Sequence, residues 1–243
     1  FTHVEKVEYA ESFSSVSDIA IDPKNDETLY FIGKMGYCES KNCPSSDSYM
    51  VGKLMTDYSL NPSPWNLEWV EFVDNFTMTE IEMAPGGAVI TGFTDGGTAT
   101  IGTSSILSDK IVVANIASQT SSGSVVWNWA TSCTPTSTNP SWTSPATNGT
   151  WEYSANPSWG LSVGSNIALF VEPGSECGAL NNNFYGFQVV SLDIDGNWLW
   201  TNGDVKDTTN MPANYQFSSD AHGADLDHST NGDVIISVNL GKI

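Results

Sequence analysis

The chain has 243 residues, of which 40% are hydrophobic, so it can bury a sizeable core as one large domain or two small ones. It carries 28 acidic and 8 basic residues, for a net charge of −20, which disfavours binding to nucleic acid or to anionic membrane. No apolar stretch is long enough for membrane insertion. The net negative charge favours cations, basic proteins or neutral glycans as partners. The chain begins at Phe1 rather than Met, so we expect a processed product or a fragment.

A phrase of two short apolar runs joined by a turn occurs four times, and in its first two copies the second run ends at a glycine. The copies are 19–22 with 29–33, 81–84 with 88–92, 161–163 with 167–170, and 224–227 with 234–237. In the first three copies a third apolar run follows and then a run that contains tryptophan. These pairs of runs are 49–54 and 67–70, 111–116 and 125–129, and 187–192 and 198–200. Each unit is therefore predicted to form four short strands.

No segment has a sustained helical periodicity with caps, so we expect an all-β chain. Four-stranded units that recur along a chain are typical of a β-propeller, in which each unit is one blade. We predict one propeller-like domain over 1–243, with approximate blades at 1–58, 59–118, 119–194 and 195–243. The fourth unit stops after its second run, so we expect the four visible blades to be part of a larger propeller or an open array.

Two stretches resemble a known repeat. Residues 187–200 resemble the strand, Asp-x-x-Gly, hydrophobic-Trp phrase of bacterial-type β-propeller repeats, often called SBBP repeats. Residues 83–94 resemble the companion phrase of those repeats, with Ala84 in place of the usual acidic residue. The resemblance implies a propeller that is extracellular or surface-displayed, and it implies no single activity.

A weaker similarity involves His222. Some arylsulfotransferase-like propellers place a histidine at the start of an inner strand that faces the central channel, and His222 resembles it in outline. That family needs basic residues for its anionic substrate, and no lysine or arginine is close to His222 in the sequence. The similarity implies a channel-facing enzyme only as an alternative, and we assign no catalytic residue.

The cysteines and sequons predict the compartment. The four cysteines are Cys38, Cys43, Cys133 and Cys177. Their even number suggests disulfides in an oxidising compartment, and we favour local pairing of the first with the second and of the third with the fourth, although other connectivities are open. N-glycosylation sequons begin at Asn75 and Asn148. We therefore predict a secreted or cell-surface glycoprotein with disulfides.

A polar cluster at 220–228 contains two histidines and three aspartates. In an extended strand His222 and His228 share a face with Leu226, whereas Asp225 and Asp227 point the other way. The cluster therefore converges on one metal ion only if the strand bulges, and plain polar residues at a strand edge are the alternative. His222 and Asp225 remain candidate metal ligands.

The sequence Asp-Ile-Asp-Gly-Asn at 193–197 is similar to the first half of a calcium loop, and it makes Asp193 and Asp195 candidate ligands. The flanking helices and the closing glutamate of an EF-hand are missing from the sequence. A two-residue Asp-Gly hairpin turn explains the same residues more simply. We predict no cofactor, with calcium left open.

The tryptophans fall into two groups. Trp69, Trp127 and Trp200 recur at matching places in their units, which predicts packing between blades. Trp142 and Trp151 lie in a Ser/Thr/Asn/Pro-rich insertion at 131–157, where exposed rings could stack on glycans. A glycosylated spacer tethered by a disulfide is the other interpretation of this insertion.

We therefore expect a structural or adhesive module of an extracellular assembly, such as a fibre, coat or appendage. Its partners would be other proteins or copies of itself, which bind through free strand edges. The first alternative is a glycan- or calcium-dependent binding module that uses Trp142 and Trp151. The second is the channel-facing enzyme centred on His222.

Overall fold

The computed structural model describes residues 8–9, 12–23, 28–35, 48–56, 65–94, 96–108, 110–117, 125–132, 142–143, 160–171, 176–177, 188–202, 224–229 and 231–238. The regular structure of these residues is entirely β, arranged in several antiparallel sheets. The all-β prediction is confirmed. The chain divides into two compact units, Phe1–Thr131 and Ser132–Ile243.

The first sheet belongs to the first unit and is a meander. Its strands are β1 (Glu8–Tyr9), β2 (Ser12–Ile21), β3 (Thr28–Met35), β4 (Tyr49–Thr56) and β5 (Trp65–Val73). They lie side by side in chain order, and every neighbouring pair is antiparallel. The three apolar runs and the tryptophan run of the first copy therefore form consecutive strands of one sheet.

The second sheet repeats this order. Its strands are β6 (Phe76–Ala84), β7 (Gly87–Thr94), β10 (Ile111–Ala117) and β11 (Trp127–Ser132), and a separate hairpin of β8 (Ala99–Ile101) and β9 (Ser104–Ile106) is inserted between β7 and β10. The spatial order is β6-β7-β10-β11. The repeated phrase did not predict the β8–β9 hairpin, because strands of this length are too short for an alternation to be recognised.

The second unit contains the other two copies of the phrase. Its strands are β12 (Trp142–Thr143), β13 (Leu161–Val163), β14 (Ile167–Val171), β15 (Glu176–Cys177), β16 (Gln188–Leu192), β17 (Trp198–Asn202), β18 (Ala224–His228) and β19 (Val234–Val238). They form a four-stranded sheet in the order β13-β14-β16-β17, a hairpin of β18 and β19, and a short pair of β12 and β15.

The tryptophan run is the last strand of each four-stranded order. β5 pairs with β4, β11 with β10, and β17 with β16. The predicted blade boundaries at 58, 118 and 194 fall before β5, β11 and β17, respectively. Each of these tryptophan strands therefore belongs with the copy of the phrase that precedes it.

The glycine at the end of the second run faces a bulge in the preceding strand. Gly92 lies opposite Met78, and the register shifts by one residue between Met78 and Glu80. A Cβ at Gly92 would collide with the backbone carbonyl oxygen of Thr77. Gly33 in the first sheet has the same kind of neighbour. The bulge brings the two backbones together, and glycine is the residue that leaves space for it.

Each unit has its own core. In the first unit, side chains of the first and second sheets pack together, among them Tyr30, Ile32, Val51, Trp69, Phe76, Ile81, Ile90, Val112 and Ile116. In the second unit, Ala168, Phe170 and Val189 pack with Leu226 of β18 and with Val234 and Ile236 of β19. Alternate residues along each strand supply these contacts, as the period of two predicts.

Candidate functional site

A half-buried carboxylate joins the first sheet to the second. Asp18 Oδ2 accepts a hydrogen bond from the backbone N–H of Ile81 at 2.9 Å, and Asp18 Oδ1 accepts one from the backbone N–H of Ile19 at 2.8 Å. Burial raises the pKa of Asp18, and these two backbone bonds offset part of the rise. The side chain therefore fastens β2 to β6 and provides an acceptor for a backbone N–H of β6, which is the edge strand of the second sheet.

In the second unit, a network of polar side chains links the β18–β19 hairpin to the neighbouring sheet. His228 at the end of β18 places Nδ1 2.7 Å from Ser162 Oγ and Nε2 2.8 Å from Asn166 Oδ1. Asn166 Nδ2 in turn donates to Ser191 Oγ at 2.6 Å. The ring packs against Gly164, where an added Cβ would lie 2.7 Å from the ring carbon Cγ. The imidazole thus holds β18 to β13 and to the turn before β14, and Asn166 extends this link to β16.

The hydrogen bonds determine the tautomer of His228. Since Asn166 donates through Nδ2 to Ser191, its Oδ1 faces the imidazole and accepts from Nε2–H. In the neutral ring Nδ1 has no proton, so it accepts from the hydroxyl of Ser162. Burial lowers the pKa of His228, and the Asp227 carboxylate offsets part of this shift. The neutral ring is therefore the form that the fold favours.

Ser162, His228 and Asn166 are residue types that also occur in hydrolytic triads, but the Ser162 hydroxyl is not placed like an exposed nucleophile. Ser162 is buried, with 6% of its surface exposed, and it lies within β13 with its hydroxyl held against Nδ1 of His228. A nucleophile needs a base and also a substrate position next to its oxygen. We therefore assign this network a structural role.

His228 makes the second unit sensitive to acid. Its folded pKa lies below the ordinary value of about 6.5, so the unfolded chain binds more protons in this range, and the free energy of unfolding falls as the pH drops through 6.5. We expect the melting temperature of the second unit to fall between about pH 7.5 and pH 5.5, as followed by calorimetry. His228→Gln removes the titrating group and should flatten this dependence. Parallel profiles for the two proteins would contradict the assignment.

A second set of polar side chains is buried in the first unit, in one row across three neighbouring strands. Tyr30, Lys53 and Trp69 lie opposite one another on β3, β4 and β5. The bulge after Lys53 makes Glu68 the extra residue of β5, and Glu68 Oε2 reaches Lys53 Nζ at 2.8 Å. Burial, with the Glu68 and Asp22 carboxylates, raises the pKa of Tyr30 to about 12. The hydroxyl of Tyr30 and Nε1 of Trp69 are buried without a hydrogen-bond partner in the structure.

The recurring tryptophans are packing residues where their side chains are described. Trp69 is buried, and its ring meets Tyr30 edge to face with centroids 6.3 Å apart. Trp127 is half-buried against the same core, and its Nε1–H donates to Glu71 Oε1 at 2.8 Å. Burial raises the pKa of Glu71, and the bond from Trp127 lowers it in part. The packing predicted for these two tryptophans is confirmed.

The candidate calcium residues form a turn. Asp193 Oδ1 accepts from the backbone N–H groups of Asp195 and Asn197, at 3.0 and 2.8 Å, and Asp193 Oδ2 accepts from Asn197 Nδ2 at 3.0 Å. These bonds, first that of the Asn197 side chain, lower the pKa of Asp193. Gly196 has a φ of 82° and its N–H donates to the Asp193 carbonyl. The loop therefore has three residues with glycine in the left-handed position, and the predicted two-residue turn is wrong.

Asn75 links the first sheet to the second. It precedes β6 with a φ of 59°, and its side-chain Nδ2 donates to the carbonyl of Thr98 at 3.1 Å. Gly97 lies beside this amide, where an added Cβ would be 2.9 Å from Nδ2. One N–H of the side-chain amide is thus hydrogen-bonded to Thr98, and a glycan would have to replace the other hydrogen of Nδ2. Glycosylation of Asn75 stays a prediction.

The remaining site predictions fall wholly or partly outside the described residues. Those that lie outside are His222, Asn148, Trp151, Cys38, Cys43 and Cys133. Trp142 and Cys177 are register partners in the β12–β15 pair, and Asp225 lies within β18. In the part of the chain that the structure describes, no group of three or more His, Cys, Asp or Glu residues could hold a metal ion. The same described residues include no helix of the length and apolarity that a membrane span requires.

Sequence reasoning placed His228 correctly on its strand but missed its partners. Leu226 is buried, Asp227 is exposed and His228 is half-buried, as the alternation predicts. Ser162 and Asn166 lie more than sixty residues away along the chain. Ser162 is in β13, and Asn166 is the last residue of an ordinary Gly-Ser-Asn turn. A glycine that leaves space for a ring is visible in the sequence only as one more turn residue.

Comparison with known proteins adds no relative, because no protein-family model, curated protein or solved structure matches this chain.

Proposed function

We propose that the chain is a propeller-like array of four-stranded blades that acts as a structural or adhesive module of an extracellular assembly. The observation that carries this proposal is a sheet-to-sheet contact found in both units. β6 packs against β2 and β3, and β18 packs against β13 and β14. In each unit, therefore, the strand that carries the first apolar run of one copy adjoins the strand that carries the first apolar run of the next copy. Radial repetition of such sheets is the arrangement of a propeller.

The use of the polar residues supports a structural role. Asp18 and His228 are half-buried titratable groups that bridge neighbouring sheets in their units, and their polar atoms are engaged by backbone or side-chain partners. Asp193 directs both carboxylate oxygens into its own turn. These groups therefore stabilise the array, and rigid repeats are suited to a module that bears contacts on its outside.

The surface supports an extracellular location. The net charge of −20 comes with only 15% charged residues, so the surface is largely neutral and polar with an acidic bias. Such a surface keeps a secreted protein soluble and leaves association to apolar faces and strand edges. Secretion with disulfides and N-glycans agrees with the cysteines and the sequons.

The experiment that tests this proposal is to determine the oligomeric state of the secreted, purified chain. We expect a concentration-dependent assembly, measured by sedimentation velocity and by electron microscopy of negatively stained particles. A chain that stays monomeric at every concentration, binds no surface protein and gains thermal stability from calcium or from glycans would overturn the proposal. That result would favour the binding module, and Trp142→Ala and Trp151→Ala would then test the predicted rings.

A further inference from the structure

Two hydrogen-bond donors in the core of the first unit lack an acceptor among the described residues. Tyr30 is 1% exposed and Trp69 is 4% exposed, and both residues belong to the hydrophobic core. The hydroxyl of Tyr30 and Nε1–H of Trp69 are buried, and the part of the chain that the structure describes gives neither a hydrogen-bond partner. Buried polar groups in folded proteins are nearly always hydrogen-bonded, either to the protein or to bound water. Two such donors therefore indicate a ligand that accepts hydrogen bonds.

The two donors lie in one small region of the first sheet. Tyr30 on β3 and Trp69 on β5 both lie opposite Lys53, which is on the strand between them. Strands on either side of a third strand are roughly 10 Å apart. The ring centroids of Tyr30 and Trp69 are 6.3 Å apart and the rings meet edge to face, so the two side chains lean toward each other over β4. The region is therefore small enough for one ligand to serve both donors.

The neighbouring side chains determine which chemistry the ligand must have. The indole N–H of Trp69 can only donate, so its partner must be an acceptor. The ammonium group of Lys53 also donates only, and its Nζ lies 5.8 Å from the ring centroid of Tyr30. Lys53 therefore cannot supply the acceptor, and the ligand must offer lone pairs of its own.

Charge and size restrict the ligand to a small neutral molecule. The Glu68 carboxylate, 2.8 Å from Nζ of Lys53, already matches the charge of that ammonium group. Burial, and then the Glu68 and Asp22 carboxylates, raise the pKa of Tyr30 to about 12, so the phenol keeps its proton and the same carboxylates would repel an anion beside it. Because Tyr30 is almost fully buried and its ring contacts that of Trp69, the space favours the smallest neutral acceptor, which is water.

We propose that the first unit contains one ordered water molecule that accepts hydrogen bonds from the Tyr30 hydroxyl and from Nε1–H of Trp69. A buried water molecule typically makes about three hydrogen bonds to polar groups that would otherwise be unsatisfied. The two accepted bonds leave its own protons for a further acceptor, such as the Glu68 carboxylate. The water molecule links β3 to β5 across β4, in addition to the hydrogen bonds of the sheet. The stability of the first unit therefore depends on it.

The first test detects the water molecule in the unmodified chain by nuclear magnetic resonance. In the isotope-labelled whole chain we expect a cross-peak between water and Hε1 of Trp69, with the sign of the nuclear Overhauser effect that a long-lived water molecule gives. Trp69→Phe identifies the resonance. Trp127 is the comparison in the same spectrum, because its Nε1–H donates to Glu71 and needs no water molecule. Absence of the cross-peak at Trp69, or equal cross-peaks at Trp69 and Trp127, overturns the proposal.

The second test compares two tyrosine variants of the whole chain by urea unfolding, followed by tryptophan fluorescence. Tyr30→Phe removes one hydrogen bond to the water molecule and should raise the unfolding equilibrium constant of the first unit about fivefold. The matched control is Tyr49→Phe on β4, which removes the hydroxyl of a half-buried tyrosine that packs against the same core. It should change the constant by less than about twofold.

The sign of the Tyr30→Phe effect distinguishes a bound water molecule from two unsatisfied donors. If the donors are unsatisfied, phenylalanine removes a buried polar group and the unfolding equilibrium constant falls. A constant that falls or stays unchanged overturns the proposal, and so do equal effects of Tyr30→Phe and Tyr49→Phe. Neither test depends on association of the chain with itself or with another protein, so the proposed function can fail while this inference holds.

Discussion

Replacing Gly92 by alanine is expected to destabilise the first unit by about 3 kcal/mol, because the new methyl group would overlap the carbonyl oxygen of Thr77. The clash is with backbone at a β-bulge, so neither a side-chain rotation nor a small shift of one strand relieves it. The expected result is a lower midpoint in urea unfolding, followed by tryptophan fluorescence.

Gly86→Ala is the matched control for this change. Gly86 has a φ of 83°, and a Cβ added there would have no atom within 4 Å. Alanine at this position would therefore strain the backbone without causing a collision. The expected loss is about 1 kcal/mol. Equal losses at Gly86 and Gly92 would show that conformation, rather than the close approach at the bulge, accounts for the repeated glycine.

Replacing Phe170 by alanine is expected to cost the second unit about 3–5 kcal/mol. Phe170 is fully buried and is the largest side chain of a small core that joins the β13-β14-β16-β17 sheet to the β18–β19 hairpin. Its loss leaves a cavity between Val189 and Leu226 that neighbouring strands cannot fill without breaking their ladder. Hydrogen exchange measured segment by segment should rise in β14, β16 and β18.

Two controls make the Phe170 result specific. Leu199→Ala in β17 truncates a side chain that is 49% exposed and should change stability by no more than about 0.5 kcal/mol. Exchange in β7 and β10 should also stay unchanged, since the two units have separate cores. Faster exchange throughout the chain would show instead that the units unfold as one.

Much of the strand layout follows from the sequence. Every apolar run of the repeated phrase lies in a strand, including those that form β7, β10 and β16, because the period of two is a local property of the chain. The turn glycines are local in the same way, as Gly196 and Gly232 show with φ values of 82° and 84°. The packing of Trp69 and Trp127 could be predicted from their recurrence alone.

Other features could not be predicted from the repeated phrase. The two-residue turn proposed at Asp-Gly was wrong because Asp193 bonds to Asn197 and lengthens the loop by one residue. The β8–β9 hairpin was missed because its strands carry too few residues to show a pattern. The role of Gly164 beneath the ring of His228 has no local signature.

By itself the sequence determined that this is an all-β chain with recurring four-strand units, since alternation, β-branched residues and turn glycines act over a few neighbouring positions. Only the tertiary structure decided which polar groups join the sheets: Asp18 meets Ile81 and Ser162 meets His228 across separations of 63 and 66 residues. It also decided that Ile81 is buried while its counterpart Ile19 is exposed. The physical reason is that identical local patterns acquire different burial and partners according to which sheet lies against them.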